Sequence, residues 1–401
     1  MIERAISAFQ SIYQRRPTAA ALAPGRVEIL GNHTDYNGGA VLAAAIDRHI
    51  CMVGAPNDGR RVRVYSLDFK QTLEFELPDG SAAPPSLGVD WGDLIGAALY
   101  CLRRENVPTV VFDAVVLGNI PIAAGLSSSA ALTVSTAKLA EQLVCKQAPG
   151  DMPAAALTLH KLAQLMQQAE HVGLGVRCGL LDPFTSIHGK QGALLVLDSA
   201  LGSGTTVPLA QKQEATPAIV IVDSRTPRSL SASRYNERRR ECERAFEQLV
   251  LTLPHPPAHL CQISLELFGR VEHALEPVLR RRARHVIGEH ARVLQAVAAL
   301  LGGNVARLGA LMRESHSSSR VNFENSTERL DLICEVADEQ RACLGSRLTG
   351  AGWGGCTLHL VQRDAADEFT EFVVREVLER SGATVEAYVT QASDGARAFA
   401  L

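Results

Sequence analysis

The sequence lacks the features that mark membrane, secreted and nucleic-acid-binding proteins. No uncharged apolar run approaches the ~20 residues that a helix needs to cross a bilayer. The N-terminus has no basic stretch followed by an apolar core. A formal net charge of -3 gives no electrostatic reason to bind nucleic acid or an anionic membrane. We therefore predict a cytoplasmic protein that binds neither nucleic acid nor a membrane, and we expect it to be a monomer.

Closely spaced cysteines are also missing. The nine cysteines are scattered along the chain, their number is odd, and none belongs to a CxxC motif. This distribution argues against a disulfide framework and against a zinc site, and it favours reduced thiols.

Neither internal repeats nor a low-complexity linker divides the chain. Its 401 residues are too many for one compact core and indicate about two or three domains. Strand-like and helix-like patterns are mixed without the regular alternation of a doubly wound sheet, which favours an α+β class with two interlocked domains. We predict domains at residues 1–215 and 216–401, because a buried strand, Ala218–Asp223, follows Pro217.

Hydrophobic spacing predicts several elements on which the argument depends. A helix is expected to begin at the serines 127–129 and to continue through Leu139, and a second helix is expected at Leu157–His171. Residues 179–189 are expected to form a loop. The basic run 280–284 lies within a helical pattern, and we expect it to be a solvated helix face.

A glycine-rich segment, Gly118–Gly125, joins a predicted strand to the helix that begins at the serines. Its small residues let backbone N–H groups approach a ligand closely, and the helix start favours an anion. The serines can cap the helix or offer hydroxyls to a phosphate-bound magnesium ion. Helix capping alone and phosphate binding are equally compatible with this pattern. No GxxxxGK[ST] motif occurs, so the segment is not a Walker loop.

Two further segments are rich in glycine. Four glycines lie within residues 350–355. Since glycine costs backbone entropy, either unusual dihedrals, contact with a ligand or a tight connection is required there. The segment Gly25–Gly39 places an arginine, a histidine, an aspartate and two asparagines in a turn between apolar strands. This density of hydrogen-bonding groups suits a polyhydroxylated ligand, with a solvated loop as the alternative.

These three segments, in this order, resemble the three motifs of the GHMP small-molecule kinases, and Gly25–Gly39 resembles the galactokinase signature. Other stretches also resemble galactokinases: Ala169–His171, Cys178–Asp182, Tyr235–Cys242, Arg282–Val286 and Gly345–Gly350. The likeness covers about residues 20 to 360. It implies a two-domain GHMP kinase fold, with a mixed sheet in the N-terminal domain, a ferredoxin-like α+β C-terminal domain and an active site in the cleft between them.

The resemblance also implies positions for ATP and Mg²⁺. The loop that wraps the ATP phosphates in that family matches Gly125, Leu126, Ser127, Ser128 and Ser129. Ser129 and Glu170 match the magnesium site, and Trp91 matches a tryptophan near the adenine pocket. Without the resemblance, Glu170 would be interpreted as a helix-surface carboxylate and Trp91 as a core residue.

For the reaction itself, Asp182 matches the catalytic aspartate and Arg26 matches the arginine that pairs with it. Phosphoryl transfer has a loose transition state, so positioning and charge stabilisation supply most of the rate. Our hypothesis is that Asp182 orients the anomeric hydroxyl of the sugar and accepts its proton late. The positions that match sugar-binding residues are Asn32, His33, Asp35, Gly179 and Tyr235.

One position departs from the signature and leaves the sugar open. Galactokinases usually have a glutamate where this chain has Asn32, and that glutamate contacts the hydroxyl at the far end of the sugar. Galactose remains one candidate. Galacturonate is the other, because a lost carboxylate no longer repels the uronate, and that repulsion is about 4 kcal/mol at 4 Å and an effective dielectric constant of about 20.

Three kinds of function are considered. ATP-dependent phosphorylation of the anomeric hydroxyl of a monosaccharide, with galactose first, is preferred because residues 127–131 and Asp182 are intact. A non-catalytic sensor of ATP and sugar is the second. A kinase for a non-sugar substrate is disfavoured by His33, Asp35 and Asn37, since those relatives usually lack this histidine and aspartate.

Overall fold

The computed structural model describes residues 1–79, 81, 83–121, 125–147, 157–175, 178–211, 216–226 and 231–401. Its strands are β1 Ala19–Leu30, β2 Ala40–Pro56, β3 Arg61–Ser66, β4 Gln71–Glu76, β5 Phe112–Gly118, β6 Ala193–Asp198, β7 Ser203–Pro208, β8 Ala218–Asp223, β9 Cys343–Leu348, β10 Cys356–Val361, β11 Glu386–Thr390 and β12 Arg397–Ala400. Its helices are α1 Ile2–Tyr13, α2 Asp90–Arg104, α3 Ser128–Gln147, α4 Leu159–Leu174, α5 Leu181–His188, α6 Ser231–Val250, α7 Leu265–Val271, α8 Pro277–Leu301, α9 Val305–Ser318, α10 Glu328–Asp338 and α11 Ala366–Ser381.

The first sheet has eight strands in the order β12-β1-β2-β5-β3-β4, and β6 and β7 extend it from β2. β3 and β5 run parallel, whereas the other neighbouring strands are antiparallel, so the sheet is mixed. Every residue of β1 is buried, because α3 and α5 pack against it. The main hydrophobic core lies between this sheet and α2 to α5.

The second sheet has the order β11-β8-β10-β9, with antiparallel neighbours throughout. Along the chain, helices separate β8 from β9, β10 follows directly, and α11 leads to β11. This is the β-α-β-β-α-β arrangement of ferredoxin-like domains. α10 and α11 bury their apolar faces against the sheet. The predicted fold class, with one mixed sheet and one ferredoxin-like sheet, is confirmed.

The last strand of the chain returns to the first sheet. β12 pairs with β1 from Ala19 opposite Ala400 to Leu22 opposite Arg397. β12 thereby covers an edge of β1 that would otherwise be unpaired. The predicted division into residues 1–215 and 216–401 stays a prediction, and residues 212–215, which precede that boundary, lie outside the described residues.

The structure confirms some of the predicted elements and contradicts others. The helix predicted at the serines is α3, and the predicted strand Ala218–Asp223 is β8. The predicted loop at 179–189 is wrong, because Leu181–His188 forms α5. Leu181, Phe184 and Ile187 are buried at helical spacing, and Pro183 lies in the first turn, where its missing N–H costs nothing.

The basic run in α8 is only partly a solvated face. Arg282 is 2% exposed, and its guanidinium donates to the carboxylates of Glu241 and Glu324 at 2.8 and 2.6 Å. It occupies an apolar position of the helix, three residues from Leu279, and the two carboxylates compensate its charge.

Seven of the nine cysteines are free thiols, at positions 51, 101, 178, 242, 261, 334 and 343. None of the described helices is long and apolar enough to span a membrane.

Candidate active site

A cavity of about 390 Å³ brings together the three glycine-rich segments. Its lining residues are Arg26, Glu28, Asn32, His33, Asp35, Gly125, Leu126, Ser127, Ser128, Ser129, Cys178, Gly179, Leu181, Asp182, Tyr235, Gly350 and Ala351. All the residues predicted for the site line it except Trp91 and Glu170. Residues 122–124 of the predicted phosphate loop lie outside the described residues.

Arg26 and Asp182 form an ion pair at the centre of the cavity. Both Nε and Nη2 of Arg26 lie 2.7 Å from Oδ1 of Asp182, and Nη1 donates to the carbonyl oxygen of Gly125 at 2.8 Å. Ser127 Oγ donates to Oδ2 of Asp182 at 2.7 Å. Oδ1 is occupied by the two Arg26 nitrogens, whereas Oδ2, which accepts from Ser127, keeps a further lone pair. The Asp182 side chain is 21% exposed. A hydroxyl that enters the cavity can therefore still donate to Asp182.

The geometry of Ser127 brings the start of α3 to this ion pair. Its φ is 58°, in the left-handed region that non-glycine residues rarely adopt. Its carbonyl oxygen accepts from the N–H of Ala131 at 3.0 Å, so it begins the helix. The first backbone N–H groups of a helix have no intrahelical partner and carry partial positive charge. The arrangement therefore offers an anion site beside Asp182.

Glu170 of α4 lies behind the serines and is 4% exposed. Ser129 hydrogen-bonds to its carboxylate, and Cys178 Sγ donates to Oε2 at 3.5 Å. Burial, together with the charge of Asp182, raises the pKa of Glu170 to about 7. No cluster of three or more His, Cys, Asp or Glu with metal-ligand geometry occurs among the described residues. Two hard oxygen donors beside an anion site nevertheless fit Mg²⁺, which keeps phosphate and water ligands.

Asp35 and Gly179 are in direct contact. A Cβ atom at position 179 would lie 1.7 Å from Oδ2 of Asp35, so only glycine fits there. Burial raises the pKa of Asp35 to about 7, and the charges of Glu28 and Asp182 add to this effect. Among the described residues, no Lys, Arg or His forms an ion pair with Asp35, which suits a group that awaits hydroxyl donors from a ligand.

His33 and Tyr235 form part of an aromatic wall. The His33 ring lies 5.3 Å from that of Tyr235 and 4.5 Å from that of Phe323. Nε2 of His33 donates to the carbonyl oxygen of Ala351 at 3.0 Å, so Nδ1 accepts from the Tyr36 hydroxyl at 2.9 Å. Burial lowers the pKa of His33 to about 4. His33 is thus a neutral wall residue whose ring nitrogens already have protein partners.

Asn32 is buried within a hydrogen-bond network in the cavity wall. Its amide nitrogen donates to Glu28 Oε1 at 3.0 Å and to the carbonyl oxygen of Gly350 at 2.8 Å. Its amide oxygen accepts from Asn325 at 2.8 Å. Glu28 also forms an ion pair with the fully buried Arg347, at 3.2 Å. Glu28 was not among the predicted site residues, although its spacing from Arg26 places both on one face of β1.

The glycines of the third segment are required by backbone conformation. Gly350, Gly352, Gly354 and Gly355 all have φ between 72° and 122°, which only glycine adopts without strain. Thr349 Oγ1 accepts from the N–H of Glu28 at 3.1 Å, so the segment is fastened to β1. Unusual dihedrals and a place in the cavity wall thus both explain this segment.

α8 supports the signature turn from behind, which sequence reasoning missed. Glu289 Oε1 accepts from the N–H of Gly31 at 3.1 Å and from Ser315 Oγ at 2.6 Å. Its Oε2 lies 2.7 Å from Nε of Arg292. Burial acts to raise the pKa of Glu289, but Arg292 and Arg347 outweigh it, and the pKa is lowered. A sequence signal existed, because Glu289 interrupts the apolar stripe of α8 between Val286 and Val293.

Trp91 lies apart from the cavity, at the start of α2. Its ring stacks on Phe69 with centroids 6.0 Å apart, and it packs against the main core. Its buried Nε1 has no hydrogen-bond partner among the described residues. Its predicted role near adenine stays a prediction.

Comparison with known families agrees with this geometry. The galactokinase galactose-binding signature matches residues 7–56. The GHMP kinase N-terminal domain matches residues 93–190, and the GHMP kinase C-terminal domain matches residues 296–380. The chain is 36% identical to a galactokinase of Roseiflexus sp. (strain RS-1), over 96% of the chain and 94% of that relative. It is 34% identical to a human galactokinase, over 100% of the chain and 97% of that relative.

Solved structures give the same result. A Lactococcus lactis galactokinase complexed with galactose superposes with a TM-score of 0.88 at 29% identity, over 98% of the chain and 99% of that structure. A Methanococcus jannaschii mevalonate kinase shares the fold, with a TM-score of 0.61 at 18% identity, over 94% of the chain and 98% of that structure. With a full-length likeness to galactokinases and all three family signatures in place, the chain belongs to the galactokinase family of the GHMP kinases.

Proposed function

We propose that this sugar kinase transfers the terminal phosphoryl group of ATP to the anomeric hydroxyl of galactose. The observation that carries the proposal is the set of contacts among Arg26, Asp182 and Ser127 at the start of α3. These contacts support an anion site beside a carboxylate that can still accept a hydroxyl proton. Phosphoryl transfer needs this combination, because positioning and charge stabilisation supply most of the rate.

Asp182 has the central role in this proposal. The hydroxyl oxygen of the sugar attacks the terminal phosphorus, the bond to the leaving ADP oxygen breaks, and Asp182 accepts the hydroxyl proton. Arg26 holds Asp182 through two nitrogens on one oxygen, and its charge favours the developing negative charge near the transferred group. The N–H groups that begin α3, with the hydroxyls of Ser128 and Ser129, bind the phosphates.

Ser129 and Glu170 are proposed to hold Mg²⁺ together with the phosphates. A bound Mg²⁺ neutralises the charge of the phosphate oxygens and orients them. Burial of Glu170 beside Asp182 supports this role, since Glu170 forms no ion pair with the described residues and gains a cationic partner when the ion binds. Binding of adenine near Trp91, a cytoplasmic location and a monomeric state remain predictions.

The sugar is proposed to lie between Asp182 and the signature turn. Asp35 can accept from two neighbouring hydroxyls, Gly179 leaves room for its carboxylate, and His33 and Tyr235 form a wall. A non-catalytic sensor is disfavoured, because Arg26 and Ser127 both hold the carboxylate of Asp182. Galacturonate is disfavoured by Glu28, which keeps a carboxylate in the cavity wall.

An assay of ADP release tests the proposal, with galactose, galacturonate, glucose, arabinose and N-acetylgalactosamine as acceptors. We expect galactose to be turned over and the activity to disappear when a chelator removes Mg²⁺. Identification of the product as the 1-phosphate confirms the site of transfer. Turnover of galacturonate without galactose, or no turnover of any sugar, would contradict the proposal.

A further inference from the structure

Glu28 lies where it can bind the end of the sugar away from the reacting hydroxyl. Arg26 and Glu28 are paired in regular register with Ala45 and Ala43 of β2, so their side chains share one face of β1 and are separated by roughly 7 Å along the strand. Arg26 holds Asp182 at the reacting end. Glu28 therefore lines the same cavity at a distance comparable with the length of a hexose.

The carboxylate of Glu28 retains an oxygen for a ligand. Both hydrogen bonds that it accepts from side chains of the described residues go to Oε1, from Asn32 at 3.0 Å and from Arg347 at 3.2 Å. Oε2 can therefore accept from a sugar hydroxyl. Burial raises the pKa of Glu28, whereas the charges of Arg347 and Arg26 act in the opposite direction and favour the ionised form.

Asn32, by contrast, has little left to offer a sugar. Both hydrogens of its amide nitrogen are used, by Glu28 and by Gly350, and its amide oxygen accepts from Asn325. The residue is 1% exposed. Its contacts join Glu28 to the third glycine-rich segment, so Asn32 positions Glu28.

We infer that Glu28, positioned by Asn32, binds the sugar hydroxyl farthest from the reacting one and excludes sugars that carry a carboxylate there. This inference rests on the proposed function and names the residue that sets its specificity. The negative charge missing at position 32 is supplied from position 28. A uronate carboxylate about 4 Å from Glu28 would be disfavoured by roughly a thousandfold at an effective dielectric constant of about 20.

The experiment measures kcat/KM for galactose and for galacturonate in parallel. For Glu28→Gln we expect kcat/KM for galactose to fall about tenfold, because a hydrogen bond to a charged acceptor is lost. We expect kcat/KM for galacturonate to rise at least tenfold, so the ratio of the two kcat/KM values changes at least a hundredfold. Glu371→Gln, an exposed change on α11, is the matched control and should leave the ratio unchanged.

A second variant guards against misfolding, since Glu28→Gln removes the anionic partner of Arg347. Glu28→Asn with Asn32→Glu keeps one carboxylate in the same wall, and we expect its preference for galactose to lie within about tenfold of the wild-type value. Thermal unfolding identifies the variants that fold. Loss of that preference in the folded double variant would overturn the inference.

The remaining outcomes separate the inference from the proposed function. An unchanged ratio in folded Glu28→Gln, or competition by equimolar galacturonate against galactose in the wild type, overturns the role of Glu28 alone. Failure of the wild type to phosphorylate galactose overturns the proposed function instead.

Discussion

Two sets of buried carboxylates near the candidate site differ in their partners, and their pKa values are shifted in opposite directions. Behind the signature turn, Glu289 is fully buried with four hydrogen-bonding partners, and its pKa is lowered. At the cavity and directly behind it, Asp35 and Glu170 form no ion pair with any described Lys, Arg or His, and burial raises the pKa of each to about 7.

The difference separates scaffold from site. A buried charge with a complete set of donors stabilises the fold around it, whereas a buried charge without them costs stability until a ligand arrives. Elevated pKa values in a cleft are typical of functional sites. Asp182 shares a feature with each set, because protein donors hold both of its oxygens and part of its side chain still faces the cavity.

The largest expected effect is a loss of catalytic rate in Asp182→Asn. The amide can still accept from Ser127, but it can no longer take a proton or pair with Arg26, so we expect kcat to fall at least 10³-fold, or about 4 kcal/mol. Calorimetry should still detect galactose binding. Asp367→Asn, exposed on α11, is the control. Full activity in Asp182→Asn would rule out the assignment.

A smaller effect, on stability, is expected from Glu289→Gln. The amide nitrogen would face Arg292 and leave its charge without a partner, so the free energy of unfolding at pH 7 should fall by about 3 kcal/mol. Because the pKa of Glu289 is lowered from 4.5, its contribution is present above about pH 4.5 and is lost as the pH falls further. Urea unfolding at pH 7 and pH 4 measures both values.

The control for this variant is Glu368→Gln, at an exposed position of α11. A Glu289→Gln protein as stable as the wild type at pH 7 would place Glu289 with the site carboxylates rather than with the scaffold.

The smallest effect has the opposite sign and comes from Asp35→Asn. The pKa of Asp35 is raised from 3.8 to about 7, so the stability linked to its protonated form is present below about pH 4 and is lost as the pH rises through 7. At pH 8 the unliganded variant should therefore be about 1–2 kcal/mol more stable than the wild type, after discounting for partial exposure. Its galactose turnover should fall.

Thermal or urea unfolding at pH 4 and pH 8 decides this point, and the difference between variant and wild type should vanish at the lower pH. Destabilisation at pH 8 would mean that Asp35 belongs to the scaffold, and the comparison would fail.

The sequence by itself determined the family and most of the site. Ordered glycine-rich segments are recognisable because backbone conformation forbids a side chain at such positions: Gly350 has φ 72°, and a Cβ at Gly179 would collide with Asp35. The strand–helix junction at Ser127 was predictable for a similar reason, since helix starts follow local rules of spacing and capping.

Only the tertiary structure decided which polar residues compensate one another. Arg282 was expected in solvent but is buried against Glu241 and Glu324, and the return of β12 to β1 joins residues about 380 positions apart. In the same way, the sequence shows that Asn32 replaces the usual glutamate of the signature. The structure shows that the carboxylate of Glu28 is hydrogen-bonded to Asn32. Charge pairing depends on distances of a few ångströms, and local sequence patterns do not specify distances between remote segments.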